Sequence, residues 1–152
     1  MSLEGLTNVE IRVLGSDDSA VLDRVAEGVF DNAVDPRWAR EFFADRRHHL
    51  AVALEDGVVV GMVSAIDYVH PDKAPQLWIN EVGVATAHRR RGIARQLLLA
   101  ILEHGRTLGC TEAWLGTEDD NVPARQLYES AGAVPEPFVL YSFPIDDVPT
   151  RT

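Results

Sequence analysis

The chain has 152 residues, 46% hydrophobic and 25% charged, with a formal net charge of −10. That length suits one domain over residues 1–152 with a real core, and the acidity argues against nucleic acid as the main partner, since such binding depends on neutralising phosphate. No apolar run approaches the ~20 residues that span a membrane, Met1–Asn8 lacks an export-signal pattern, and the single Cys110 can make no internal disulfide, which fits a reducing cytoplasm.

Taken in chain order, Val9, Ile11 and Val13 alternate and predict a first strand. Ser16-Asp17-Asp18 can cap a helix carrying Val21, Leu22, Val25, Val29 and Phe30. Asp35-Pro36 reads as an N-cap followed by proline at the first helical position, opening a second helix with Trp38, Phe42 and Phe43 inward. Leu50–Leu54 and Val58–Ile66 read as two strands joined by a hairpin turn at Asp56-Gly57. A loop with Pro71 and Pro75 follows, then a strand over Leu77–Val84 and a long helix over Arg91–Leu108. Glu112–Thr117 reads as a strand, Asn121–Ala131 as a helix and Phe138–Phe143 as a closing strand, with a loose tail from Asp146. The sum is an α/β domain of order β-α-α-β-β-β-α-β-α-β, without repeats or linkers.

The strongest chemical signal is Arg89-Arg90-Arg91-Gly92-Ile93-Ala94, between the Leu77–Val84 strand and an amphipathic helix. The first N–H groups of a helix lack internal partners, and the macrodipole adds positive charge there. A phosphate group satisfies both. Gly92 permits close approach of the backbone, and Arg89, Arg90, Arg91 and Arg95 supply charge. The segment has neither the Gly-Lys-Ser/Thr ending of a P-loop nor the Gly-x-Gly-x-x-Gly dinucleotide fingerprint.

Its Arg-x-x-Gly-x-Ala pattern resembles the pyrophosphate loop of the GNAT N-acetyltransferases. A second motif, Asn121-Val122-Pro123-Ala124-Arg125-Gln126-Leu127-Tyr128-Glu129-Ser130-Ala131-Gly132, resembles that family's Asn-x-x-Ala-x-x-Leu-Tyr-x-x-x-Gly helix. Asn121 is a good N-cap, Ala124, Leu127, Tyr128 and Ala131 share a face, and Gly132 can end the helix. By spacing alone Tyr128 would be an ordinary core aromatic. The resemblance covers nearly the whole chain, with its specific motifs between Leu77 and Gly132. It implies the acyl-CoA N-acyltransferase fold, with a mixed sheet whose Leu77–Val84 and Glu112–Thr117 strands run parallel and then splay. It also implies acetyl-CoA as cofactor, its pantetheine arm pairing with the backbone of Val82, Gly83 and Val84, and its pyrophosphate on Arg89–Arg95, including the N–H groups of Ile93 and Ala94. Asn121, Ala124 and Tyr128 of the second motif would face the same ligand.

The implied chemistry is direct attack of an amine on the thioester. A backbone N–H near Val82 or Gly83 stabilises the oxyanion, Tyr128 protonates the leaving thiolate, and Glu81 or a water serves as base. Strand alternation puts Asn80 and Glu81 on opposite faces unless a bulge intervenes. The five histidines show no zinc spacing, so no metal is expected. Glu118, Asp119 and Asp120, with Asp67 and Asp146, form a candidate carboxylate set for a cationic acceptor. A solvated acidic loop is the alternative reading. Within the family, the aminoglycoside 3-N-acetyltransferases are most alike, through the entry to the basic loop, the Asp-Asp pair and Ile145-Asp146. Gly132-Ala133 departs from the family's usual Gly-Phe. The expected function is acetylation of a small-molecule primary amine such as an aminoglycoside or polyamine. A peptide or protein amine and a non-catalytic CoA-binding module remain alternatives, and relatives are often homodimers.

Overall fold

The computed structural model describes residues 8–151. Its centre is a five-stranded sheet of spatial order β1-β2-β3-β4-β5, comprising β1 (Val9–Val13), β2 (His48–Glu55), β3 (Val58–Tyr68), β4 (Gln76–Val84) and β5 (Ala113–Trp114). The first four strands pair antiparallel, and β5 joins β4 in parallel. The Asp56-Gly57 turn forms as expected. Both residues have positive φ, 51° and 76°, which twists the chain into the β2–β3 hairpin.

Helices α1 (Pro36–Ala44), α2 (Ile93–Thr107) and α3 (Val122–Ser130) complete the layers. Ile93, Leu97, Leu98 and Ile101 recur at helical spacing and are buried, seating α2 across β1 to β4. On β2, His49 touches His104 of α2, while its neighbour His48 touches Phe42 of α1. Alternation along the strand therefore puts α1 on the opposite face. Covered on both sides, the middle of β2 and of β3 is apolar and buried along its length. In α1, Asp35 caps as predicted by accepting from the Arg37 N–H at 2.8 Å. Phe43 is buried, but Trp38 is not inward. It is 59% exposed, with the Arg37 guanidinium 4.6 Å from its ring centre.

Two predicted elements do not form. The helix expected after Ser16 is a short 3-10 turn over Ser19–Asp23, followed by irregular chain. Its apolar residues are used differently. Arg24 O and the Ala26 N–H bond both sides of Val59 at 2.9 Å, so Val25 bridges β3 in a strand-like manner. Gly28 then turns with φ 89°. Backbone pairing to the sheet overrides the helical spacing of β-branched Val21, Val25 and Val29, whose helix propensity is modest. The closing strand expected at Phe138–Phe143 is exposed chain without sheet pairing. Of the strand expected at Glu112–Thr117, only Ala113 and Trp114 pair. The described order is thus β-α-β-β-β-α-β-α, still a mixed α/β architecture.

Two irregularities mark β4. Ser64 pairs with Glu81 but Ala65 with Ile79, so Asn80 is the extra residue of a β-bulge. At Gly83, an added Cβ would overlap the backbone carbonyl oxygen of Val29. The glycine thus marks a close approach, to the irregular segment packed on the α1 face. Gly83→Ala should destabilise the fold by about 1–3 kcal/mol, read as a lower urea midpoint. An unchanged midpoint would show that the Val29 segment does not press on β4.

Candidate active site

The site is organised by where β4 and β5 part. Only Leu77 with Ala113 and Trp78 with Trp114 are in register, tied by the Leu77 N–H to Glu112 O at 2.9 Å. From Ile79 onward, the β5-facing edge of β4 pairs with no strand among the described residues. The Ala85 N–H bonds Val60 O on β3, so alternation turns Gly83 toward β3 as well. The peptide groups of Val82 and Val84 then face the open seam. Arg89 Nε reaches the Val84 carbonyl at 3.4 Å. The backbone expectation for Val82, Gly83 and Val84 therefore needs correcting, because Gly83 spends its peptide groups on the sheet.

At the end of the seam, a 3-10 turn (Thr86–His88) leads into Arg89–Gly92 and α2. Arg90 has φ 64° and Gly92 φ 76°, two left-handed residues flanking Arg91. The first is unusual for a side chain and costs of order 1 kcal/mol. Gly92 is the N-cap, with no capping side chain, and a Cβ there would meet no atom within 4 Å. The leading N–H groups of α2 at Ile93, Ala94 and Arg95 find no acceptor among the described residues, on a helix with no acidic residue in its first turn. Glu55 steadies the turn from β2. It lies 3.1 Å from His88 Nε2 and 3.6 Å from an Arg91 nitrogen. Nothing in the sequence marks Glu55 for this, because its partners lie more than thirty residues away.

The bulge brings Glu81 and Trp78, paired with Ser64 and Ile66, onto one face, with Asn80 between them. Asn80 and Glu81 are both exposed on the face opposite α2. Helix α3 stands against α2. Asn121 caps it, accepting from the Ala124 N–H at 3.2 Å, with proline in the first turn. Tyr128 is half-buried against the core, and burial raises its phenol pKa above the usual value. Cys110 is likewise half-buried, its thiol pushed up first by burial and then by the charge of Asp67. That disfavours the nucleophilic thiolate.

The carboxylate set does not assemble as predicted. Glu118, Asp119 and Asp120 lie on an exposed loop before α3, and Asp119 is held by Arg125 at 2.9 Å. Asp146 sits in a separate exposed 3-10 turn, Ile145–Asp147, without an ion pair among the described residues. Asp67 points the other way. It accepts from His49 Nε2 at 2.6 Å, and His49 Nδ1 lies 3.0 Å from His104 Nε2 on α2. It therefore lies beneath α2, not on the Asn80 face. The reason is period two: its neighbours Ile66 and Tyr68 take the other face.

These features can be set beside known proteins. The sequence profile of the acetyltransferase (GNAT) family matches residues 21–133, and the chain belongs to that family. Aminoglycoside N(6′)-acetyltransferase type 1 of Salmonella typhimurium is 32% identical over 90 residues, 55% of this chain and 62% of that protein. The chain thus spans about three fifths of that relative. L-2,4-diaminobutyric acid acetyltransferase of Virgibacillus pantothenticus is 31% identical over 77 residues, 51% of this chain and 47% of that protein. In fold, an aminoglycoside acetyltransferase from an uncultured soil sample superposes with a TM-score of 0.77 at 18% identity, over 93% of this chain and 97% of that one.

The histidine pair gives a pH prediction. His104 Nε2 lies 3.0 Å from His49 Nδ1 in a partly buried contact. Burial and the neighbouring His49 lower the His104 pKa, against the opposing charge of Asp67. A base with a depressed folded pKa lends stability above its unfolded value, near 6.5, and loses it as pH falls through the folded value. The melting temperature should therefore fall on acidification below about pH 6.5, and less steeply in His104→Gln. Parallel pH profiles for the two proteins would refute this.

Proposed function

We propose that this protein transfers an acetyl group from acetyl-CoA to a primary amine of a small cationic molecule. The observation that carries the reading is the conjunction of a bare β4 edge with a basic, left-handed turn at the start of α2. A polyanion with an amide-bearing arm fits both at once. Arg89, Arg90, Arg91 and Arg95 supply charge for the pyrophosphate, and the N–H groups of Ile93 and Ala94, opened by Gly92, supply donors. Val82 and Val84 offer strand-like hydrogen bonds along the arm.

Acetyl-CoA supplies an activated thioester carbonyl. The N–H of Val82 faces the seam and is the donor placed to stabilise negative charge on that oxygen. The amine forms the new N–C bond as the C–S bond breaks. The proton lost by the amine passes to Glu81, directly or through water. The bulge at Asn80 is what lets the Glu81 carboxylate share the acceptor's face. Tyr128, protonated well into the alkaline range by its burial, gives a proton to the departing thiolate. Asn121 and Ala124 fix α3, and so the position of Tyr128. Aminoglycosides and diaminobutyric acid appear in the names of relatives, and a net charge of −10 favours cationic molecules by long-range attraction. Glu118, Asp119 and Asp120 would contribute to that attraction from the loop before α3.

The test is thiol release from acetyl-CoA against a panel of amines. Tyr128→Phe should lower kcat by a factor of about 10² or more with little change in the KM for acetyl-CoA. Equal kcat in the two proteins from pH 6 to 9 (about the range over which such an acid acts) would remove Tyr128 from the mechanism. Gly92→Ala forces a side chain into the left-handed region at a cost of about 1–2 kcal/mol, so CoA affinity should fall roughly tenfold. CoA binding without transfer to any amine would instead identify a binding module.

A further inference from the structure

Beside the point where β4 and β5 part lies a cavity of about 570 Å3, on the face away from α2. That is the size of a small-molecule site. Its walls are Ile66 and Tyr68 from β3, Trp78 and Asn80 from β4, and Trp114 from β5. The two indoles are tilted at 57° with ring centres 6.4 Å apart, making an open V. Trp114 is half exposed although it sits in the sheet. The rim is fixed by hydrogen bonds, His70 Nε2 to Gln76 at 2.9 Å and the Gln76 amide to Glu112 at 3.2 Å. No carboxylate among the described residues lines the cavity, and Lys73 stands at its edge.

This composition does not suit a flexible polycation lying along its length, which would want carboxylates at intervals. It suits a rigid body with a flat apolar face. Aromatic planes hold such a face by stacking, and an indole also attracts a nearby ammonium group. Asn80, at the bulge, is the polar group that separates the aromatic wall from Glu81 and the open seam. We propose that this cavity seats the acceptor, and that Trp78 and Trp114 select a primary amine carried on a six-membered ring. The ring lies on the indoles and its amine points past Asn80 toward the seam. Further positive groups of the acceptor stay outside, toward the acidic surface. The inference rests on the acetyltransferase function proposed for the same site and narrows its substrate class. A saturated amino-sugar ring and an aromatic ring share the needed face.

The experiment is steady-state kinetics with a monocyclic amino sugar, phenylethylamine and spermidine, for the wild type, Trp114→Ala and Trp114→Phe. In the wild type, at least one ring amine should exceed spermidine roughly tenfold in kcat/KM. Trp114→Ala should raise the KM for that ring amine about tenfold, leave the KM for acetyl-CoA unchanged, and be rescued by Trp114→Phe. Which of the two ring amines responds identifies the kind of ring. Spermidine as the better substrate, or an unchanged KM in Trp114→Ala, overturns the ring selection while leaving the acetyltransferase intact. A parallel loss of acetyl-CoA affinity also counts against it, because the change would then be structural. Absence of turnover with every amine defeats both readings.

Discussion

The structure depends on a backbone constraint, the early end of pairing between β4 and β5. Two residue pairs hold the strands together, and beyond them the β5-facing edge of β4 pairs with no strand among the described residues. Peptide groups without partners are costly wherever water is excluded, by about 1–3 kcal/mol each. A sheet that leaves such an edge beside its core presents peptide groups that a strand-like partner would satisfy. The fold supports the opening from three directions. The bulge at Asn80 re-aims β4, the Val29 carbonyl clamps Gly83 from one face, and α2 covers the other. The seam can stay open because the rest of β4 is held by β3 along nearly its whole length.

Charge is distributed to match. The molecule is strongly acidic, yet its most concentrated positive charge stands at the N-terminal end of α2, where the helix dipole has the same sign. Four arginines near a positive dipole end would repel one another without a counter-charge. Glu55 supplies part of one by contacting His88 and Arg91. The strain at Arg90 fits the same purpose, since a left-handed residue on each side of Arg91 bends the backbone into a turn. The acidic loop before α3 is less committed, because Arg125 already engages Asp119 and the neighbouring carboxylates are solvated.

What could be read from the sequence was what lies in local chemistry. Gly92 before an amphipathic helix, Asn121 and Asp35 as caps, and Asp56-Gly57 as a hairpin turn depend on residues a few positions apart, and all formed. The family followed from two such local motifs. The failures share a cause. Helical spacing from Val21 to Phe30 was real, but the chain gains more by pairing Val25 with β3. The strand pattern at Phe138–Phe143 was real too, but the segment pairs with no strand among the described residues. Trp38 carried an inward pattern, and its ring lies outside with Arg37 over it.

For the site, the sequence by itself determined the basic turn before α2, the tyrosine helix and the overall sign of charge, because each is set by residue type at short spacing. Tertiary structure decided which side chains share a face. The bulge at Asn80 turned Glu81 to the face of Trp78, and strict alternation on β3 sent Asp67 beneath α2 to the histidines. It also turned the Gly83 peptide into the sheet and those of Val82 and Val84 to the seam. Trp78 and Trp114 became neighbours because two distant strands run parallel. A one-residue shift in strand register reverses every one of these directions, and register is fixed only when strands from separate parts of the chain meet.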